Sequence, residues 1–222
     1  MGADGPLRSS QGKLAVVVEQ ALESARRGDI AAFNVLVQTY QRQVFNVCLR
    51  TLGNTEDAAD ATQDALLSAF RGLKTFNGPA AGLRAWLLRI AVNACYDQLR
   101  RRQRRPTDSL EALGSGDFDE PTATSAAERV ADPGVGPEQQ SLSAETARTI
   151  QQAIDSLPPD QRLTVVLCDV QGLSYDEVAQ VMAVELGTVK SRLSRARAQL
   201  RVALIEKGEL PARSARLQER NT

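Results

Sequence analysis

Apolar residues recur at helical spacing through most of the chain. In "GDIAAFNVLVQTYQRQVFNVCLRTLG" they fall at Ile30, Phe33, Val37, Tyr40, Val44, Val47 and Cys48, a stripe that predicts one long helix ended by Gly53. Asn54 and Thr55 stand where a cap is wanted, with Glu56 and Asp57 in the first turn, where the helix dipole favours acids. The helix that follows, "EDAADATQDALLSAFRGL", stops near Gly72, and "KTFNGPAAG" must turn because it holds two glycines and a proline. "LRAWLLRIAVNACYDQLRRRQRR" then predicts a long helix with Trp86, Leu87, Ile90, Ala94 and Leu99 on its apolar face and arginines at its far end. Further on, "SAETARTIQQAIDSL" is closed by Pro158 and Pro159, and "DQRLTVVLCDVQGL" gives another helix ending near Gly172. Strand signals are weak throughout, so the fold class is all-α.

The segment "LSYDEVAQVMAVELGTVKSRLSRARAQL" has a finer grain. Ser174 followed by Glu177 is a capping box, which satisfies two orphan backbone amides at a helix start. Val178, Ala179 and Met182 supply the buried face of a short helix, Val184 and Leu186 lie in a tight turn, and Gly187-Thr188 opens a second helix. In that second helix Val189, Leu193, Ala196 and Leu200 make one narrow apolar stripe, while Lys190, Arg192, Arg195, Arg197 and Arg201 occupy the other faces. Two helices, a short turn and a small residue, Ala179, at their crossing fit a helix-turn-helix. In such a motif the second helix lies in the major groove, so Thr188, Lys190, Ser191, Arg192, Ser194 and Arg195 would face DNA. A charged helix face that is simply solvated, or a plain helical hairpin, gives a similar pattern.

Charge distribution sharpens this. The chain has 222 residues, with 27 basic and 27 acidic side chains and no net charge. Yet seven arginines stand against one acid, Asp97, between Arg84 and Arg105, and eight acids against Arg129 between Pro106 and Gln140. A balanced total thus hides two basic blocks around an acidic spacer. Residues 106–140 are rich in Pro, Gly, Ser, Thr and acids with hardly a large apolar side chain, so they read as a flexible linker. The organisation is an N-terminal extension (1–19), a helical module (20–105), the acidic linker (106–140), a helix-turn-helix module (141–205) and a hydrophilic tail (206–222).

Candidate chemistry is sparse. There is no histidine, and Cys48, Cys95 and Cys168 are far apart and flanked by apolar residues, as small buried hydrophobes are. No metal, cofactor or catalytic constellation is present. The N-terminus lacks a basic-then-apolar leader, its run "LAVVV" is too short to span a bilayer, and Gly2 lacks the context of a myristoylation motif. A cytoplasmic protein without membrane insertion is expected.

Taken together, the two modules resemble a bacterial sigma factor of the extracytoplasmic-function (ECF) type. The resemblance covers roughly residues 27–105 and 145–204. It rests on "EDAADATQDALLSAFRGL", on "FNGPAAGLRAWLLRIAVNACYDQLRRRQRR" and on "LPPDQRLTVVLCDVQGLSYDEVAQVMAVELGTVKSRLSRARAQL" in that order. It implies a non-catalytic promoter-specificity subunit whose partners are core RNA polymerase, promoter DNA and an anti-sigma factor. By position, Asp60, Gln63, Asp64 and Leu67 correspond to the surface that docks on polymerase. The loop Lys74 to Gly82 corresponds to the segment that captures a flipped base of the −10 element, with Phe76 and Asn77 as members. Trp86 reads as a core anchor rather than a stacking platform.

The resemblance assigns Arg84, Arg89, Asn93, Arg100 and Arg101, with Arg102, Arg104 and Arg105, to phosphates and the opened strand. Such contacts make affinity steeply salt-dependent. It assigns Thr188, Lys190, Ser191, Arg192, Ser194, Arg195 and Arg197 to the −35 element. Two departures stand out: the Phe76–Trp86 interval is about one residue longer than the family pattern, and Ala183 stands where a turn glycine is common. The acidic linker is expected to thread toward the polymerase cleft as a mimic of nucleic-acid charge. The rival readings are a stand-alone helix-turn-helix repressor or activator and a small helical hydrolase or nuclease.

Overall fold

The computed structural model describes residues 7–104 and 137–208, with side chains over 12–104 and 145–208. Most of the acidic stretch 106–140, Arg105 and the tail beyond residue 208 lie outside the described residues. The described residues fold into eight α-helices: α1 (Leu7–Arg26), α2 (Ile30–Leu52), α3 (Thr55–Gly72), α4 (Ala80–Arg104), α5 (Pro137–Asp155), α6 (Pro159–Val165), α7 (Tyr175–Met182) and α8 (Leu186–Glu206). A 3-10 turn, Leu73–Thr75, follows α3, and a π turn, Val166–Val170, continues α6. No described helix is long and apolar enough to cross a membrane.

The boundaries follow local chemistry. Asp29 caps α2 by accepting from the amides of Ala31 and Ala32, and Gly53 ends it in the left-handed region at φ 70°. A side chain at Gly53 would also come within 3.3 Å of the Asp155 carboxylate, so two constraints favour glycine there. Asn54 caps α3, its side chain accepting from the Asp57 amide at 3.0 Å. The capping box of α7 is complete: Ser174 N and Oγ both donate to Glu177 Oε2 at 2.8 Å, and Glu177 N donates to Ser174 Oγ at 3.3 Å. Those bonds hold the Glu177 carboxyl below its ordinary range.

Three elements differ from the pattern-based expectation. Residues expected as an N-terminal extension belong to α1, which buries Val18, Ala21, Leu22 and Ala25 while Leu14, Val16 and Val17 stay exposed. Helix α5 reaches back to Pro137, inside the stretch expected as linker, and α4 begins at Ala80, inside the expected loop. The buried face of α4 is also wider than expected: Leu83, Leu87, Leu88, Ala91, Val92 and Cys95 are buried, while Trp86, Ile90, Ala94 and Leu99 are only partly so. The cause is sandwiching, since α4 packs against α1, α2 and α3 and also against α7.

That sandwich makes the two helical modules one packed body. A first cluster, Val18, Leu22, Leu36, Ala69, Leu73, Leu83 and Leu87 among others, belongs to α1–α4 and the 3-10 turn after α3. A second runs without a break from Val44, Val47, Leu88 and Val92 into Leu163, Val166, Leu167, Val178, Val189 and Leu193. Burial of this kind stabilises by roughly 1.5–3 kcal/mol per large side chain relative to exposure. Polar staples reinforce the seam. Arg162, mostly buried, donates to Thr51 O at the end of α2 at 2.7 Å and to the carbonyls of Asp155 and Leu157. Arg50 donates to Gln151 Oε1 at 3.0 Å.

All three cysteines are free and buried. The Cys48 and Cys95 thiols hydrogen-bond each other, and that bond, together with burial, pushes Cys95 far up, so it stays a neutral thiol.

Candidate nucleic-acid interface

Helix α8 is anchored by Val189, Leu193 and Ala196, all buried, and this fixes which residues look outward. Lys190, Ser194 and Arg195 are exposed on the side away from the core, and Thr188 and Ser191 are half-buried near the start of the helix. Ser191 Oγ donates to Thr188 O at 3.0 Å. Two other members of the predicted set point elsewhere. Arg192 is half-buried and donates to the Asp160 carboxylate of α6. Arg197 forms a two-pronged bond with Asp169, Nη2 at 2.6 Å and Nε at 3.1 Å, which raises its pKa further. A shallow groove of about 690 Å³ runs along α8 between Lys190, Arg197 and Arg201, with Tyr175 on its edge. The outward face therefore offers donors at the amino-terminal half of the helix, where base edges would be met.

The turn before α8 is tight. Ala183 adopts φ 53° and ψ 47°, the left-handed conformation, and is the one described non-glycine residue with positive φ. The position where a turn glycine is common thus takes a glycine-type backbone, and here an alanine bears it at roughly 1–2 kcal/mol.

In the amino-terminal half, the 73–79 loop is packed rather than open. Phe76 lies with its ring centroid 4.9 Å from that of Trp86 at 36°, and the Arg26 guanidinium sits 5.4 Å over the Phe76 ring. Asn77 is exposed at the tip. Arg89, Asn93 and Arg100 are exposed and line one side of α4 at four- and seven-residue spacing, a basic track. The remaining arginines diverge. Arg84 leaves this track: its Nε donates to Gln43 Oε1 at 3.0 Å and its Nη2 to the carbonyl of Gln171, tying α4 to the end of the π turn. Arg101 lies 3.6 Å from Asp64 and donates to Gln98. Arg102 bonds Asp57 and, at 3.1 Å, the carbonyl of Leu52, satisfying the carboxyl end of α2.

On α3, Asp60, Gln63, Asp64 and Leu67 are all exposed, and Asp60, Gln63 and Leu67 share one face. Gln63 and Leu67 border an apolar groove of about 410 Å³ between α2 and α3, floored by Phe33, Phe45, Leu66 and Phe70. Phe33 and Phe70 meet edge to face at 5.0 Å. The four predicted docking residues thus stand together, next to an aromatic groove that the sequence pattern did not reveal. Also missed were Arg26, Tyr96 and Asp160. Tyr96 Oη donates to Asp160 Oδ1 at 2.8 Å, linking α4 to the α6–α8 pair. Among the described residues no cluster of acids or cysteines could hold a metal ion.

Two family models match the chain: Sigma-70 region 2 over residues 36–105 and Sigma-70 region 4 over residues 147–200. The RNA polymerase sigma-H factor of Pseudomonas aeruginosa is 36% identical over 186 residues, covering 84% of this chain and 93% of that one. The ECF RNA polymerase sigma factor SigM of Mycobacterium tuberculosis is 41% identical over 173 residues, 78% of this chain and 77% of its own. Among solved structures, the sigma factor RpoE of Bartonella quintana, crystallised with the anti-sigma factor NepR, superposes with a TM-score of 0.56 at 27% identity. That match covers 79% of this chain and 98% of RpoE. CnrH, solved with the cytosolic domain of CnrY, shares the fold at a TM-score of 0.58 and 24% identity, covering 86% of this chain and 98% of its own.

Proposed function

The chain belongs to the ECF group of RNA polymerase sigma factors, and on that premise we propose how its two modules divide the work of promoter recognition. It is a promoter-specificity subunit of RNA polymerase, and its regulatory role needs no catalysis of its own. Residues 20–105, extended backward by α1, bind core polymerase through Asp60, Gln63, Asp64 and Leu67. The 74–82 loop and the exposed side of α4, Arg89, Asn93 and Arg100, engage the −10 element and hold the opened strand by phosphate contacts. Residues 141–205 read the −35 element through Thr188, Lys190, Ser191, Ser194 and Arg195. The acids of the 106–140 stretch, most of which lies outside the described residues, act as a charge mimic in the polymerase cleft. An anti-sigma factor is a partner, as it is for RpoE of Bartonella quintana.

The observation that carries this reading is the orientation of α8. Its apolar stripe is buried and its amino-terminal polar face is exposed, behind a capped α7 and a left-handed turn. A repressor would footprint its operator alone, whereas a sigma factor acts with core. Run-off transcription by bacterial core polymerase on a promoter library, with and without the chain, tests this. Chain-dependent transcripts sharing two spaced motifs support it. Binding of DNA without core and no effect on transcription would return the chain to the stand-alone regulators.

A further inference from the structure

Arg26 is the last residue of α1, ten residues before the stretch matched to Sigma-70 region 2, and nothing in the helix pattern marks it. Its surroundings do. Nη2 donates to the carbonyl of Gly78 at 2.6 Å, across 52 residues of sequence. Nη1 pairs with Glu23 at 2.8 Å, one turn back on α1. The guanidinium plane covers Phe76, and Nε is buried without a partner. A planar cation with this many obligations is fixed in position, because its fork must satisfy Glu23 and Gly78 while stacking on the ring.

The loop is equally constrained from the other sides. Trp86 backs Phe76, and a Cβ at Gly78 would lie 2.6 Å from Phe76 Cζ. Phe76 is therefore held between Trp86, Arg26 and the backbone of Gly78. Asn77, between these two held residues, is exposed at the tip, as are Lys74, Thr75 and Pro79 on either side.

We infer that Arg26 is a positioning residue that sets the conformation of the 74–82 loop and thereby which base the loop accepts. This rests on the proposed reading of that loop as the −10 reader. Through Gly78 O the guanidinium holds the Gly78–Pro79 peptide, on the far side of Asn77, and through the Phe76 ring it holds the residue before Asn77. The identity of the accepted base then depends on a residue of α1, outside the family-matched segment.

The test uses full-length chain with core polymerase on promoters randomised at the −10 element and fixed at −35. Arg26→Lys keeps the charge and the stem but loses the fork, and Gly78→Ala disturbs the same loop from the opposite side. Arg27→Gln, on an exposed neighbour bonded to Ser24, is the control. The expected result is a shared change of base preference at the same −10 position for Arg26→Lys and Gly78→Ala, of tenfold or more. Core affinity and −35 dependence should be unchanged. Trp86 is the only tryptophan, so its emission should shift in Arg26→Lys as the Phe76 stack loosens.

An unchanged preference in Arg26→Lys overturns the inference, and so does a uniform loss on every −10 sequence, which is what a merely structural role gives. If Arg26→Lys does not fold, an unchanged preference in Gly78→Ala overturns it instead. Failure of the −10 reading itself looks different: wild type would then show no preference anywhere in the −10 element.

Discussion

Arg192 of the helix proposed to read DNA and Tyr96 of the arginine-lined helix bond to the same carboxylate, that of Asp160. Asp160 is therefore a polar joint between the two modules, beside an apolar seam that needs no polar partner. Burial and the Asp160 bond both push the Tyr96 hydroxyl up, so it remains a donor at any physiological pH. Tyr96→Phe is expected to lower stability by about 1 kcal/mol, the usual net contribution of one hydrogen bond. Urea unfolding of the two proteins side by side checks this.

The same joint separates two arginines that the sequence pattern treats alike. Arg195 is exposed on the outward side of α8, whereas Arg192 is committed to Asp160. Arg195→Ala should weaken −35 binding on the order of 1–3 kcal/mol, if the contact is bidentate to guanine, and leave the unfolding midpoint nearly unchanged. Arg192→Ala should do the reverse, lowering stability because Asp160 loses its cation. Promoter binding by holoenzyme and thermal unfolding, measured on both variants, decide it. Equal loss of −35 binding with no loss of stability in Arg192→Ala would show that Asp160 releases this arginine to DNA.

What was legible in the sequence was local. Gly53, Asn54 and the Ser174–Glu177 box act on backbone within one turn, so their residue types announce their roles. The stripe of α8 was equally plain. Partners distant in sequence were not: Arg192 finds Asp160 across 32 residues and Arg197 finds Asp169 across 28, so a helix that reads as uniformly basic has two of its cations occupied. The face of α4 was misjudged for a related reason, since no local pattern tells that a helix will be covered on two sides. Helix α1 could have been read from Val18, Ala21, Leu22 and Ala25, spaced like a helix face, but the adjacent exposed Leu14, Val16 and Val17 blur that stripe.

The aromatic groove beside Leu67 gives a test of the polymerase-docking surface. Leu67 is 46% exposed and Phe70 45%, so neither is needed to close the core. Leu67→Asp is expected to reduce core polymerase affinity at least tenfold while the helical circular dichroism and the melting temperature stay close to wild type. Asp64→Arg should abolish core binding as well, and it also sets two arginines, 64 and 101, against each other where an ion pair stood. Retained affinity in both variants would remove α3 from the interface.

The turn at Ala183 offers a gain rather than a loss. Alanine there holds a conformation that glycine adopts freely, while glycine brings more backbone entropy to the unfolded chain. The steric term is the larger, so Ala183→Gly should stabilise by about 0.5–1 kcal/mol. Differential unfolding in urea checks the sign, and a destabilised variant would mean that the alanine methyl has a packing role.

Acid sensitivity should trace to the same short helix. The Glu177 carboxyl is held below its ordinary value of 4.5 by the backbone amide and the hydroxyl of Ser174. A carboxylate with a depressed folded-state pKa contributes stability that is present in full above the unfolded value and lost as pH falls through the folded one. The difference in melting temperature between wild type and Glu177→Gln should therefore be largest near neutral pH and shrink as pH falls below about 4.5. Ser174→Ala removes both hydroxyl bonds, the one accepted from the Glu177 amide and the one donated to its carboxylate, and should cost about 1 kcal/mol at neutral pH. Because Ser174 and Glu177 act as one unit, the double variant should lose less than the sum of the two single losses. Additive losses would show that the amide of Glu177 finds its stabilisation elsewhere.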